Sequence, residues 1–388
     1  MSEISQVLVS QLNCQTGLSE KQTLAAAPRH WPDLIRLACT RAWQHKKLTC
    51  GILLLAIGYG MALGADFIAP VDYRAQARRE PSAPPTVAHW RDEAGGWHLR
   101  PFIYAARLED PVSRIYTEDK TRRYELEVLA HGYSYHFLGF IPTDRHLFGA
   151  RAPNQTNAPV LRLLGTDALG RDRFARLLRA ARFSLLVGPF GALLASLLGI
   201  FIGCVAGYWR GFVESILMRA ADVMISLPAL IIILAARAAF PLELPPLRAG
   251  LMMISIFAFV GWAEMALLTR GLVLSLRQRE FVFAARSIGL SEWRILLRHV
   301  LPNLTRPLVV QFMLLLPTFL LAETALSFLG VGLQEPEPSW GNMLAETANI
   351  NLLGASPFVL LTPAIAIFIF VLAVRLSGEG WESWQKNG

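Results

Sequence analysis

The chain has 388 residues, of which 53% are apolar and only 17% are charged, and its mean hydropathy is +0.39. This composition excludes an ordinary soluble domain and indicates a membrane protein. Lys and Arg exceed Asp and Glu by 37 to 29. Because basic loops on the cytoplasmic side of membrane proteins explain such an excess, we expect no nucleic-acid partner. The four cysteines form no CxxC pair and lie near no His at metal-ligand spacing, so we interpret them as incidental thiols.

Runs that are long and apolar enough to cross a bilayer occur six times. In chain order they cover 48–65, 183–209, 223–240, 249–269, 307–329 and a stretch within 347–374. The third run is the weakest, because Arg237 interrupts it and Pro228 would bend or break it. The first run follows a basic segment and starts too late for a cleaved signal peptide. It therefore predicts a retained anchor with the N-terminus in the cytoplasm.

Between the first two runs, the segment 71–163 is charged and contains several prolines and aromatic residues, which predicts a small extracytoplasmic domain. Polar and apolar residues alternate over 123–129 and again over 133–140. The dipeptide His131-Gly132 separates these two stretches, so the pattern predicts a β-hairpin with its turn at that point. A passive insertion and a docking surface for a soluble partner are both compatible with this segment.

The segment 280–303 is too polar to span a membrane and too periodic to be a disordered connection. Apolar side chains three or four residues apart predict one short amphipathic helix, and they are Phe281, Ala284, Ala285 and Ile288. Gly289 is suited to end that helix, Ser291 to begin a second one, and Leu301-Pro302 to stop the second. The periodicity alone fits a helix that docks in a groove on another protein and equally a helix that lies on lipid.

The spacing of Ala284-Ala285, Gly289 and Leu301-Pro302 resembles the EAA loop of ABC importer permeases. Three further segments, 164–185, 219–230 and 326–344, resemble the C-type permease subunit of dipeptide and oligopeptide importers. The motif residues in these segments are Gly165, Thr166, Asp167, Gly170, Arg171, Asp172, Asp222, Ser226, Pro228, Ser339, Trp340 and Gly341. The chain departs from the family pattern at Phe283, where the loop usually has Glu, and its segment 71–163 is longer than usual.

The resemblance implies an all-α polytopic membrane protein with the six transmembrane helices of the type I ABC importer permease fold. A small extracytoplasmic insert that contains β-structure follows the first helix. The implied regions are a cytoplasmic N-terminal segment (1–47), the first transmembrane helix (48–70), the insert (71–163), a permease core with five transmembrane helices (164–376) that includes the cytoplasmic coupling loop (270–306), and a cytoplasmic tail (377–388).

The resemblance also implies a function: a non-enzymatic, multi-pass subunit of a bacterial-type inner membrane that forms half of the import path for peptides or a related solute. Its implied partners are a sister permease, an extracytoplasmic binding protein and two ATPase subunits that carry ATP and Mg, while this chain binds no cofactor or metal. Both termini would be cytoplasmic. The residues that would couple it to the ATPases are Phe281, Phe283, Ala284, Ala285, Ile288, Gly289, Leu301 and Pro302.

The chain contains no GxxxxGK[ST] motif, so it has no P-loop of its own with which to bind nucleotide. A rival hypothesis is a proton-coupled secondary transporter in which the intramembrane acids Glu264 and Glu323 act as relays. Such transporters commonly have an internal repeat, and we see none in this sequence.

Overall fold

The computed structural model describes residues 45–92, 95–110, 114–137, 139–150, 159–349 and 357–386. The predicted N-terminal segment therefore lies outside the described residues up to residue 44. The helices, in chain order, are α1 (Lys46–Leu63), α2 (Ala65–Ile68), α3 (Arg173–Trp209), α4 (Phe212–Ser226), α5 (Ala229–Ala238), α6 (Pro246–Arg277), α7 (Glu280–Ser287), α8 (Glu292–Ile295), α9 (Leu301–Phe328), α10 (Trp340–Ala345), α11 (Pro357–Leu360) and α12 (Thr362–Lys386).

Five helical segments of the described residues are long and apolar enough to cross a membrane. They are α1, α3, α6, the continuous stretch Glu292–Phe328 and α12 as far as Trp384. The helices α4 and α5 pass the same test only as a pair, and they meet at an angle of 94°. The fold is thus mainly helical, with five candidate spans or six if the bent pair is one span.

The bend between α4 and α5 lies at Pro228, as the sequence predicts. Proline lacks an amide hydrogen and drives the residue before it into extended backbone, and Leu227 indeed has φ −97° and ψ 141°. The helix before the bend starts at Phe212, which is earlier than the predicted run. Arg237 near the end of α5 is buried, and its guanidinium donates to the carbonyl oxygens of Phe240 and Pro241 at 3.2 and 3.0 Å. This charge is therefore paired with backbone carbonyl groups of the turn that follows α5.

The prediction that Leu301-Pro302 stops the second helix of the loop is wrong. The chain passes from α8 through one π-helical turn, Leu296–Val300, directly into α9. Pro302 is the second residue of α9, directly after this π-helical turn. The wider π-turn before it gives the helix a local way to continue past the proline.

The most extensive helix packing in the described residues joins α3 to α6. Gly199, Gly203 and Gly207 recur every fourth residue along α3 and face the backbone of α6. A Cβ atom on Gly203 would lie 2.5 Å from the carbonyl oxygen of Ala266, so glycine is what allows this approach. The two helices then bury Ala195, Phe257 and other core side chains between them.

The insert contains a four-stranded antiparallel sheet in the order β1 (His89–Arg91), β2 (Trp97–Asp110), β3 (Ile115–Phe137) and β4 (Ile141–Ala150). The first half of β3 pairs with β2 and its second half pairs with β4. The predicted β-structure is present, but the predicted turn at His131-Gly132 is wrong, because β3 runs through that dipeptide with a shift of register. Gly132 is needed for close packing instead, since a Cβ there would lie 2.5 Å from the ring of His146.

The segment predicted as a tail, 377–388, is helical as far as Lys386, because α12 continues through it. Small residues allow this end of α12 to pack against the start of α1, where Gly380 contacts the backbone of Leu48. Lys47 pairs with Glu379 at 2.7 Å across the same contact. The described part of the tail is thus an extension of the last span, and residues 387–388 lie outside the description.

Candidate functional site

Two groups of predicted site residues lie at opposite ends of the helix bundle. We call the end with α7 and the start of α8 the loop end, and the end with the sheet the insert end. The helices α3 and α6 both run from the insert end to the loop end.

At the loop end, α7 has one buried face and one exposed face. Val282 and Ala285 are buried and join the main core cluster with Val273 and Ile295. The other predicted coupling residues on or beside this helix are exposed, and they are Phe281, Phe283, Ala284 and Ile288. The predicted stripe is therefore divided: Ala285 attaches α7 to the bundle, and its apolar neighbours face outward. The sequence pattern did not identify Val282, because the predicted apolar stripe began at Phe281, one residue before the first buried position of α7.

Gly289 ends α7 as predicted. Its φ is +80°, a left-handed value that glycine adopts without the cost that a side chain would add. The amides of Gly289 and Leu290 donate to the carbonyl oxygens of Arg286 and Ala285, at 3.0 and 3.3 Å. These bonds close the helix end and reverse the chain toward α8.

An ionic cluster that the sequence did not identify holds α7 to the end of α3. The guanidinium of Arg286 donates to both carboxylate oxygens of Glu292, at 3.0 and 3.1 Å. The hydroxyl of Tyr208, in the last turn of α3, donates to the same carboxylate. Trp209 and Trp293 add a ring contact at 4.4 Å between centroids. The sequence feature that could have predicted this cluster is the pair of opposite charges, Arg286 and Glu292, on either side of Gly289.

At the insert end, the motif residues 165–172 form a tight loop before α3. Gly165 and Gly170 have φ values of +66° and +76°. Asp167 accepts hydrogen bonds from the amides of Leu169 and Arg171, both at 2.9 Å. Thr166 accepts from the amide of Ala83 at 2.7 Å, which ties the loop to the start of the insert. These motif residues thus stabilise the backbone of the loop.

Asp172, the last residue of this motif, is the N-cap of α3. Its Oδ1 atom accepts a hydrogen bond from the amide of Ala175 at 2.7 Å, while its Oδ2 atom has no hydrogen-bond partner among the described residues. The side chain is buried, and this burial raises the pKa of Asp172 to about 6. The capping carboxyl therefore titrates well above its ordinary range.

The motif loop and the chain before α10 are brought together by ion pairs. Arg171 pairs with Asp167 at 2.6 Å and with Glu335, and Arg176 pairs with Glu335 at 2.9 Å. Two residues after Glu335, Glu337 accepts a hydrogen bond from Tyr73 at 2.8 Å, so the same segment also contacts the start of the insert. This network connects three parts of the chain that are distant in sequence.

The third motif begins α10 at the same end. Ser339 caps the helix by accepting from the amide of Asn342 at 3.2 Å, and the indole of Trp340 donates to Leu177 at 3.3 Å. Gly341 lies directly against the backbone of Thr324. A side chain at residue 341 would therefore separate α10 from α9.

Asp222, Ser226 and Pro228 lie elsewhere, around the bend between α4 and α5. Asp222 and Ser226 are exposed, and the hydroxyl of Ser226 donates to the carbonyl oxygen of Asp222 at 2.6 Å. The structure therefore does not bring these motif residues to either of the two groups described above.

The two intramembrane acids of the rival hypothesis have different surroundings. Glu323 is fully buried and accepts hydrogen bonds from Ser184 and Ser327 at 3.0 and 2.8 Å. Glu264 is exposed, and its contact is with Gln311 at 3.5 Å. No hydrogen bond among the described residues joins the two acids. Within the same residues, no group of three or more His, Cys, Asp or Glu is placed to hold a metal ion.

Comparison with known proteins agrees with these features. Residues 199–383 match the family described as "binding-protein-dependent transport system inner membrane component". The chain is 37% identical over 217 residues to the glutathione transport system permease protein GsiD of Pectobacterium atrosepticum, covering 56% of this chain and 69% of the relative. It is 39% identical over 228 residues to the same-named protein of Escherichia coli O6:K15:H31, covering 58% and 73%. The chain therefore belongs to the inner-membrane permeases of ABC importers, in their peptide and oligopeptide class.

Proposed function

We propose that this chain is one of two permease subunits that together form the translocation path of an ATP-driven importer for peptides or peptide-like solutes. Membership of the family supports the general part of this proposal, which is a multi-pass transport subunit of the inner membrane that works with ATPase and binding-protein partners. The relatives named above are glutathione permeases, which supports a small peptide-like solute. The sister permease, a distinct chain in this proposal, supplies the other half of the path.

The proposed topology counts α4 and α5 as one broken span and so has six spans. The loop 270–306 is rich in arginine, which favours a cytoplasmic loop end with both termini on that side. In this arrangement 1–47 is cytoplasmic, 48–70 carries the first span, and the insert 71–163 lies outside. The core 164–376 holds five spans, and the residues after 376 extend the last of them on the cytoplasmic side.

The single observation that carries the coupling role is the two-faced geometry of α7. Its inner face is fixed by Val282 and Ala285, and its outer face presents Phe283 and Ala284. A short helix with an apolar outer face suits a groove on a partner protein. We infer that this face docks on the ATPase subunits, which bind ATP and Mg, and that Gly289, Leu301 and Pro302 shape the loop behind it.

The transmission of movement then follows from the attachments of the loop. Arg286 and Glu292 link α7 to α8, and α8 is continuous with the span α9. Tyr208 links the same cluster to the span α3. A displacement of α7 by the ATPases would therefore reach two spans through short, packed connections. No step of ATP hydrolysis is assigned to this chain.

Ala284→Glu tests this function, because Ala284 is exposed and the change leaves the buried face of α7 intact. In proteoliposomes that contain the whole transporter, we expect Ala284→Glu to abolish ATP-dependent uptake and to weaken retention of the ATPases. Gln278→Glu is the matched control, since it adds the same charge at an exposed position just before α7 and should keep uptake. Full uptake by the Ala284→Glu variant would refute the coupling role. Ala285→Glu is a poorer test because Ala285 is buried.

A second experiment tests the assembly. The tagged chain is extracted gently from its native membrane, and the proteins that remain bound are identified by mass spectrometry. We expect a second permease and P-loop ATPases in near-equal amounts. Recovery of the chain alone, or only with itself after crosslinking, would overturn the proposed assembly with a sister permease and ATPases.

A further inference from the structure

The turn between β3 and β4 is an apolar tip on a domain that is otherwise rich in charge. The residues 137–142 contain no charged or amide side chain. Phe140 and Ile141 are 74% and 54% exposed, although both are large apolar residues. Gly139, with φ +90°, allows the tight reversal that presents them. Exposed apolar residues grouped in this way mark a surface that contacts something apolar.

Contacts along α2 show in which direction this tip points. The first span ends with α1 at Leu63, and the chain then moves away from it through α2 to Pro70. The strand β3 runs the opposite way, since Gly132 lies near the carbonyl oxygen of Pro70 while Phe137 contacts the ring of Phe67 at 6.2 Å. The strand therefore descends toward the end of the first span, and the tip lies beyond Phe137.

The strand β4 gives the same direction from a second helix. Phe148 contacts the ring of Phe174, in the first turn of α3, at 6.2 Å. Farther along β4 toward the tip, His146 contacts the carbonyl oxygen of Asp66, whose carboxylate pairs with Arg182 at 2.8 Å. As β4 runs toward the tip, the part of α3 that lies beside it therefore changes from residue 174 to residue 182, which is closer to the apolar run of α3.

The distances place the tip near the level at which the charge-free run of α3 begins. Arg182 is the last charged residue before the charge-free run of α3. Phe174 stands roughly 12 Å above Arg182 at 1.5 Å of rise per helical residue. The eight residues of β4 from Ile141 to Phe148 are separated by seven steps, which cover about 23 Å at 3.3 Å per step. Even a strongly tilted strand therefore brings Phe140 and Ile141 down to the level where the apolar part of α3 begins.

We propose that the tip of the β3–β4 hairpin inserts Phe140 and Ile141 into the lipid bilayer at its interface with water. Aromatic and aliphatic side chains next to a spanning helix favour this zone, and the adjoining Phe67 and Phe137 extend the same apolar surface to the first span. The lipid contact would be a second anchor for the sheet besides its covalent links to α1 and α3. The proposal depends on neither the solute nor the side of the membrane on which the insert lies.

The test measures the depth of spin labels in the full-length chain, purified with the partners that it retains and placed in vesicles of phosphatidylethanolamine and phosphatidylglycerol. The native cysteines are replaced by alanine, and one cysteine is introduced at Phe140, at Ile141 or at Leu99. Leu99 is the matched control, because it is 98% exposed on β2 of the same sheet. Power saturation then compares collisions with oxygen, which partitions into lipid, and with a water-soluble nickel chelate.

We expect the labels at residues 140 and 141 to show an oxygen-to-nickel collision ratio several-fold higher than the label at residue 99. Equal ratios at the three positions would overturn the proposal. A label at residue 140 that is immobilised and shielded from both reagents would overturn it as well, because a protein partner would then cover the tip. Labels at two adjacent tip positions keep the test informative if one variant folds poorly.

Discussion

Arg286 and Glu292 form a two-point ion pair across the turn at Gly289, with nitrogen-to-oxygen distances of 3.0 and 3.1 Å. The guanidinium stands at the end of the amphipathic helix α7, and the carboxylate stands at the start of the helix that continues into α9. The same carboxylate also accepts the hydroxyl of Tyr208 from α3. One side chain thus joins the proposed docking helix to two spans.

The first prediction concerns Glu292→Gln, which removes the charge of this pair but keeps the size of the side chain. Because both partners are partly exposed, the pair contributes only about 0.2–1 kcal/mol to the free energy of unfolding. We expect the thermal stability to change little. Uptake should fall roughly 5-fold, the effect of losing about 1 kcal/mol of coupling free energy, while ATP hydrolysis by the assembled transporter continues.

The control for this prediction is Glu379→Gln, which removes the exposed pair of Glu379 with Lys47, away from the loop. Its uptake should match that of the unmodified chain. Parallel losses in uptake and ATP hydrolysis by Glu292→Gln would show that the pair stabilises the fold without coupling the two activities.

The second prediction concerns the contact of α3 with α6. Gly203→Ala would place a Cβ atom 2.5 Å from the carbonyl oxygen of Ala266, so the helices must separate or distort. Overpacking of this kind costs about 1–3 kcal/mol. Gly60→Ala is the control, because a Cβ there meets no atom within 4 Å and alanine favours a helix. Denaturant unfolding in mild detergent should rank Gly60→Ala at or above the unmodified chain and Gly203→Ala clearly below it.

The third prediction separates a structural role of Glu323 from a proton relay. Ser184 and Ser327 donate to different oxygens of Glu323, so Glu323→Gln keeps one acceptor and places an NH2 donor at the other position, where a serine hydroxyl can turn to accept it. We therefore expect uptake and stability to remain near those of the unmodified chain. Glu323→Leu leaves these buried hydroxyls without their acceptor and should cost about 1–3 kcal/mol. Loss of uptake in a stable Glu323→Gln variant would contradict the structural role and revive the relay hypothesis. Thermal unfolding and uptake are measured on both variants.

Hydropathy predicted the apolar runs of the five candidate spans, because a helix needs about 20 mostly apolar residues to cross a bilayer. Pro228 likewise predicted a break, since the effect of proline on the backbone is local. The predicted stop at Leu301-Pro302 was wrong because a π-helical turn before the proline lets the helix continue. We know of no residue pattern in this sequence that predicts such a turn. Gly132 misled the prediction for another reason: glycine serves close packing as well as turns, and only the position of His146 distinguishes the two.

The candidate site was likewise predictable from the sequence only in part. The end of α7 at Gly289 followed from local rules of helix termination, and the structure has it. The partners of the charged residues did not follow, because Glu292 and Tyr208 meet only after α3, α7 and α8 have packed together. Which face of α7 is buried also depends on that packing, and this explains why the sequence selected Phe281 and missed Val282.

The fourth prediction concerns the pH dependence of stability at the N-cap of α3. Burial raises the pKa of Asp172 from 3.8 to about 6 in the folded chain. The folded state therefore binds this proton more tightly than the unfolded state does. The stability that the protonated carboxyl contributes is fully present below about pH 4 and is lost as the pH rises to about 6. Asp172→Asn keeps an oxygen to accept from Ala175 and carries no charge.

We therefore expect Asp172→Asn to gain stability relative to the unmodified chain as the pH rises from 4.5 to 7.5, with the difference constant above about pH 6.5. Thermal unfolding in detergent at several pH values measures this difference. Asp172→Ala is the control, since it loses the cap and should be less stable than Asp172→Asn by about 1 kcal/mol at every pH. A stability difference between Asp172→Asn and the unmodified chain that stays flat over this range would show that the carboxyl does not titrate there, and that its charge is compensated in the folded chain.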